Sequence, residues 1–319
     1  MLARDPAFGW PSGSAGVPSR PIVSILQTLA FFSIFDFAPT RLELKNFSLV
    51  AGWEEFCAAL EKLSADGVIL ERDGLFSLAA RPLDPNIRRD RYRAAVRKFS
   101  RADRAAVWLK KIPWVRFVAV TNSLAWWNTK PESDIDFFIV VRHGRLWTTR
   151  LLVAILLRIF RLRPGEGSLD PICCSFWMSD AGADLKEIEI VGDVYLSFWK
   201  RRLIVINNVG AAGCESWVCA TSDRLIGCGT RVEHSAAPTF TKLIFKRTEK
   251  ISRRLSMKLF PKNIRSASAS GVVLTDYMIK LHAPDRRVEI RDRWRALCAE
   301  IGAPVEFTSP LESYEPDPS

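Results

Sequence analysis

The stretch VAVTNSLAWWNTKPESDIDFFIVV, residues 118–141, carries the decisive pattern of this chain. It opens as an apolar, β-branched strand that began at Val115, breaks at Thr121-Asn122-Ser123, and resumes as a second strand from Asp134 to Val141. Asp134 and Asp136 lie two apart on that second strand, so both project from one face while Ile135 points into the core. Paired carboxylates suit a hard divalent cation, which takes oxygen ligands and stabilises the attacking and leaving oxygens of an in-line phosphoryl displacement. The first strand runs into Asn122-Ser123 and then a short helix near Leu124. A helix start offers free N–H groups to a phosphate, and the Ser123 hydroxyl adds another donor.

Outward from this core the pattern is strands alternating with helices. Arg145 to Phe160 reads as a helix, Ile172 to Met178 as a strand, and Asp193 to Arg201 as a further helix. Such alternation implies a mixed sheet with helices packed on it. The apolar run Leu151 to Phe160 is too short to span a bilayer and reads as a buried helix, so no membrane partner is expected. Downstream, Lys242 to Phe260 forms a basic helix, GVVLTDYMIKLH fits strand or helix, and Arg286 to Ile301 is a final helix. Upstream, Pro21 opens a helix over Ile22–Phe35, the pair Thr40 and Glu43 makes a capping box, and Trp53 to Ser64 is a third helix. VILER and LFSL then flank Asp73-Gly74, a pair suited to a tight hairpin. Three helices and a hairpin make a winged helix.

The organisation expected is therefore α+β. A disordered lead-in (1–20) precedes the winged helix (21–84), a basic connecting helix (85–112) and a mixed-sheet domain (113–206). A basic helical C-terminal segment (207–303) and a disordered tail (304–319) complete it. At 319 residues the chain is long enough for two modest domains, and 48% hydrophobic with 25% charged residues is globular composition. Seven cysteines with no basic-then-apolar leader argue for reduced thiols and a cytoplasmic protein. Cys214, Cys219, Cys228 and His234 lack a close C-x-x-C pair and read as ordinary residues rather than a zinc site.

The net charge of +11 is unevenly spread. Residues 21–80 are acidic, and the expected third helix presents Glu54, Glu55 and Glu61 with only Lys62, which disfavours it as a DNA reader. Ten bases lie between 86 and 111, including Arg88, Arg89, Arg91, Arg93, Arg97 and Lys98, against Asp90 and Asp103. That segment and the basic C-terminal helix are the places where a nucleic acid would be drawn.

A strand, a small-residue turn with Ser, a short helix and then an acid-x-acid strand resembles the polymerase-beta-like nucleotidyltransferases. The likeness is carried by Asn122-Ser123 and by S-D-I-D, Ser133 to Asp136. The whole chain also resembles a group of bacterial proteins with a winged helix, this domain and a basic C-terminal segment, through GRLWTTRLL and VVLTDYMIKLHAPDRR. The resemblance implies Asp134 and Asp136 as metal-binding catalytic acids, and Asn122, Ser123 and Ser133 as nucleotide-binding residues. Magnesium, or manganese in its place, is the implied cofactor. Asn122 stands where the superfamily usually has Gly, and Asn tolerates the left-handed backbone such a turn requires. The family also carries a third acid on a later strand. Asp170, before ICCSFWM, is the preferred candidate, Glu189 the second, and absence of a third acid the remaining alternative. The implied reaction moves a nucleoside monophosphate from an NTP to an acceptor, which could be a protein side chain, a small molecule or an RNA end. The alternatives are a catalytically degenerate nucleotide sensor or nucleic-acid-binding regulator, and an interaction protein without ligand. Trp126 and Trp127 are candidates for stacking on a base, and Arg286 and Arg287 for contacting phosphate.

Overall fold

A computed structural model of the chain describes residues 18–165, 169–181, 185–208, 239–265, 271–303 and 305, with the side chains of 239–245, 262 and 263 left aside. The Cys214–His234 cluster considered above lies outside the described residues, as do nearly all of the two terminal segments. The chain divides into two compact units, one built from residues up to Asp90 with Ile190–Phe198 and the part from Arg286 onward, the other from Arg91–Glu189 and Trp199–Asp285.

The first unit contains helices α1 (Arg20–Ser33), α2 (Arg41–Ser48) and α3 (Trp53–Ala65), then strands β1 (Ile69–Arg72) and β2 (Leu75–Leu78) paired antiparallel. Each start follows from local chemistry. Pro21 sits in the first turn of α1, and α2 carries the capping box, with Glu43 N donating to Thr40 Oγ1 at 3.3 Å and Thr40 N to Glu43 Oε2 at 2.9 Å. Asp73 and Gly74 have φ of 54° and 74°, the left-handed pair that a two-residue hairpin turn needs. The core is aromatic: Phe31 stacks on Phe198 with centroids 4.0 Å apart, and Phe32 lies against Phe37 and Phe47. The last helix, α10 (Arg287–Glu300), belongs by its contacts to this unit. Trp294 Nε1 donates to the Gln27 carbonyl at 2.9 Å, and Arg287 pairs with the buried Asp193 at 2.6 Å.

Helix α4 (Pro85–Lys110) leads into the second unit, whose six strands lie in the order β6-β3-β4-β5-β8-β7. They are β3 (Val115–Val120), β4 (Ile135–Val141), β5 (Ile172–Ser179), β6 (Ile204–Asn208), β7 (Val272–Leu274) and β8 (Met278–Leu281). Only β4 and β5 run parallel, and α6 (Leu146–Ile159) lies in sequence between them; the other neighbours are antiparallel. A mixed sheet with helices is thus present, as the alternation predicts. GVVLTDYMIKLH resolves into the β7–β8 hairpin, because its apolar residues extend the edge of the sheet beside β5. Among the described residues the remaining elements are short helix α5 (Asn122–Ala125), α7 (Val194–Arg201), α8 (Thr239–Leu259), α9 (Lys262–Arg265) and a 3-10 turn at Leu185–Ile188.

Helix α6 departs from the expected buried helix. It buries Leu146, Trp147, Thr149 and Val153 while Ile155, Ile159 and Phe160 stay exposed. Its N-terminus is held by Glu249 of α8, which accepts from the backbone N–H groups of Trp147 at 2.7 Å and Thr148 at 3.0 Å, a carboxylate where the helix dipole favours one. Among the described residues no helix is long and apolar enough to cross a membrane.

Candidate active site

Strand β3 is buried along its whole length, so its backbone fixes whatever follows it. At its end Thr121 N donates to the Asp136 carbonyl at 3.0 Å, tying the turn to the first residues of β4. Asn122 then adopts φ of 58° and opens α5. This is the left-handed backbone expected of Asn122 from the sequence. Asn122 also does what glycine cannot: its Nδ2 donates to Asp136 Oδ2 at 2.9 Å.

Asp134 and Asp136 flank the fully buried Ile135, and each is only partly accessible. Burial pushes the Asp136 carboxyl up to about 6; hydrogen bonds from Asn122 and the Cys173 thiol oppose the rise, and the neighbouring Asp134 adds to it. Burial raises Asp134 as well, with the Lys98 ammonium pulling the other way. The Asp134 carboxylate has no hydrogen-bond partner among the described residues, and neither has the half-buried Ser123 hydroxyl. Two adjacent carboxylates, both held above their ordinary range by desolvation, are poised to gain from a cation.

Asp170 is placed differently. It is buried with φ of 54°, and both oxygens are taken: Arg97 Nε donates to Oδ2 and Arg97 Nη2 to Oδ1, each at 2.8 Å, and Lys98 Nζ to Oδ1 at 2.7 Å. Burial alone would raise its pKa, but these two cations hold it below the usual carboxylate range. Lys98, itself fully buried, spends its other N–H groups on the carbonyls of Pro131 at 3.0 Å and Ser133 at 2.6 Å. All three of its donors are satisfied. The Asp170–Lys98 pair therefore anchors the loop that delivers Ser133 and Asp134 to the start of β4. Glu189 is paired with Lys200 at 3.7 Å.

The residue in register with Asp136 on the neighbouring strand is Cys173, and the register shifts just beyond that pair, a bulge of the kind often found beside functional sites. Burial, then the Asp136 charge, push the Cys173 thiol up to about 12, so it remains a neutral donor. Ser175 hydrogen-bonds Cys173 in turn, and Ser175 Oγ lies 3.1 Å from His282 Nε2. Among the described residues no group of three or more His, Cys, Asp or Glu side chains converges as a metal cage. Two carboxylates nonetheless fit magnesium, which is commonly held by one or two carboxylates together with substrate phosphates and water.

Several expectations drawn from charge and aromatic content change in the structure. On α4, Arg88 is buried and pairs with Glu43 at 2.8 Å, Arg89 pairs with Asp73 at 2.6 Å, and the buried Arg91 donates to Asn128 Oδ1 at 3.3 Å. With Arg97 and Lys98 on Asp170, at least five of the ten bases counted on this segment have partners within the protein. Trp126 is buried, and Trp127 is packed between Tyr92 and Phe99 at centroid distances of 5.2 and 4.3 Å. Arg286 pairs with Glu289 at 3.1 Å and Arg287 with Asp193, both inside the first unit. Lys98 and Cys173 were missed by sequence reasoning. Lys98 had a readable signal, since it falls at helical spacing among Ala94, Ala95, Ala102 and Ala106 on the buried face of α4. Cys173 had none, because its position opposite Asp136 is a matter of strand register. No family model, curated protein or solved structure matches this chain.

Proposed function

We propose that this chain is a nucleotidyltransferase that moves a nucleoside monophosphate from an NTP to an acceptor hydroxyl and releases pyrophosphate. The observation that carries the reading is the left-handed Asn122 at the end of a buried strand, whose amide holds Asp136 beside Asp134. Asp134 and Asp136 would hold magnesium or manganese, which supplies charge neutralisation at the transferring phosphoryl group. Asn122 orients Asp136, and the Ser123 hydroxyl is available as a donor to a phosphate oxygen. As the acceptor oxygen bonds to the α-phosphorus, the bond to the pyrophosphate oxygen breaks and the acceptor's proton passes to solvent water. Because both oxygens of Asp170 are engaged, its part in this proposal is to hold Lys98 and the Pro131–Ser133 loop rather than a metal. Three helices followed by a hairpin support a winged helix for the first unit. The exposed Glu54, Glu55 and Glu61 on α3 favour a protein contact over DNA for it.

A second reading has a specific observation behind it. With Asp170 committed to two cations and Cys173 in register with Asp136, two carboxylates are offered among the described residues, which suits a nucleotide sensor that binds without turnover. Incubation with each labelled NTP, magnesium or manganese, and a cell extract separates the two. Label transfer and pyrophosphate release, lost in Asp134→Asn and Asp136→Asn, are expected for the enzyme. Magnesium-dependent NTP binding without pyrophosphate release would leave the sensor, and absence of binding would refute both.

A further inference from the structure

We infer that helices α6 and α8 form a peripheral docking face for an anionic lipid bilayer. On α6 the side chains of Leu152, Ile155, Ile159 and Phe160 are exposed, Ile159 by 66% and Phe160 by 63%. On α8, which packs against α6, Ile251, Leu255 and Leu259 are exposed at a spacing of four, one row along the helix. Beside that row runs another at the same spacing, Lys250, Arg254 and Lys258, all exposed. Arg158, Arg161 and Arg163 add cations at the end of α6.

The charge pattern selects the occupant. None of these six cations has a carboxylate partner among the described residues. Helix α6 contains no acid, and the single acid of α8, Glu249, is consumed in capping α6. A second copy of the chain would set six unpaired cations against the same six, which repel. A nucleic acid would satisfy the cations but leave the aliphatic side chains of both rows in water, and Phe160 alone offers a ring to stack on a base. Aliphatic residues interleaved with cations and free of acids match a surface that is apolar at depth and negative at its rim. No described helix can cross a bilayer, so the contact lies in the interface plane.

The test is co-sedimentation of the full chain with phosphatidylcholine vesicles, with and without phosphatidylglycerol. Binding is expected only with phosphatidylglycerol and should weaken as salt is added. At about fivefold per cation, Lys250→Gln, Arg254→Gln and Lys258→Gln together should weaken it about a hundredfold. Ile159→Ser with Leu259→Ser should weaken it by about tenfold or more while leaving the salt dependence in place. These residues are exposed, so circular dichroism should find every variant folded. Equal binding to both vesicle types, no binding to either, or unchanged binding of the Ile159→Ser, Leu259→Ser variant would each overturn the inference. So would self-association of the chain in solution that this variant abolishes, since that would assign the face to a second copy.

Discussion

Replacing Asp136 by asparagine should stabilise the metal-free protein at neutral pH and hardly at all in acid. Burial keeps the Asp136 carboxyl protonated up to about 6 in the folded chain, against 3.8 for the free group. The folded state therefore binds more protons than the unfolded state between these values, and stability falls as pH rises through that window. Above it the loss reaches about 3 kcal/mol, and at pH 4 it is a small fraction of that. Asparagine imitates the protonated acid in shape, and its carbonyl oxygen can still accept from Asn122 Nδ2. Asp136→Asn should thus gain about 3 kcal/mol at pH 7.5, a rise of roughly 6–12 °C in the unfolding midpoint of a unit this size. Saturating magnesium and NTP should close most of that gap. Ligand at about a hundred times its Kd adds about 2.7 kcal/mol to the wild type, and the variant should receive little of it. Calorimetric scans at pH 4 and 7.5, with and without magnesium and NTP, read all four states. A gain of equal size at both pH values, or none at 7.5, would refute the argument that Asp136 is a buried charge awaiting a cation.

Lys98→Met should cost about 3–5 kcal/mol, because it leaves Asp170 and two backbone carbonyls without their buried donor; urea unfolding that finds a loss below about 1 kcal/mol would contradict the anchoring role. Asp170, held below its ordinary range by Arg97 and Lys98, adds to that cost at neutral pH and ceases to do so as pH falls through its folded pKa, so the penalty should shrink in acid. Cys173→Asp sets a third carboxylate in register with Asp136. It should lower metal-free stability through like-charge repulsion and raise magnesium affinity severalfold by titration calorimetry, whereas unchanged affinity would mean that position 173 does not face the metal.

Much of the local structure was legible in the sequence because its causes are local. Thr40 and Glu43 cap α2, Asp73-Gly74 turns the hairpin, β-branched and aromatic runs form β3 and β4, and the apolar run from Ile172 forms β5, all within a residue or two of the expected limits. Asn122 was readable for the same reason: a left-handed backbone after a strand selects among very few residue types, and its φ of 58° follows. The partners of the α4 cations were not legible, because a count of lysines and arginines carries no direction. Arg88, Arg91 and Lys98 sit on the helix face that turns inward, where each has a partner far away in sequence.

By itself the sequence determined the α+β character, the hairpin, the turn at Asn122 and the pairing of Asp134 with Asp136, since each depends on residues a few positions apart. Only the tertiary structure decided that Asp170 grips Lys98, that Cys173 lies opposite Asp136, and that α10 packs with α1. These depend on strand register and on which helix faces meet. Both are fixed by burial of the whole apolar surface at once, a sum over distant residues that no single segment contains.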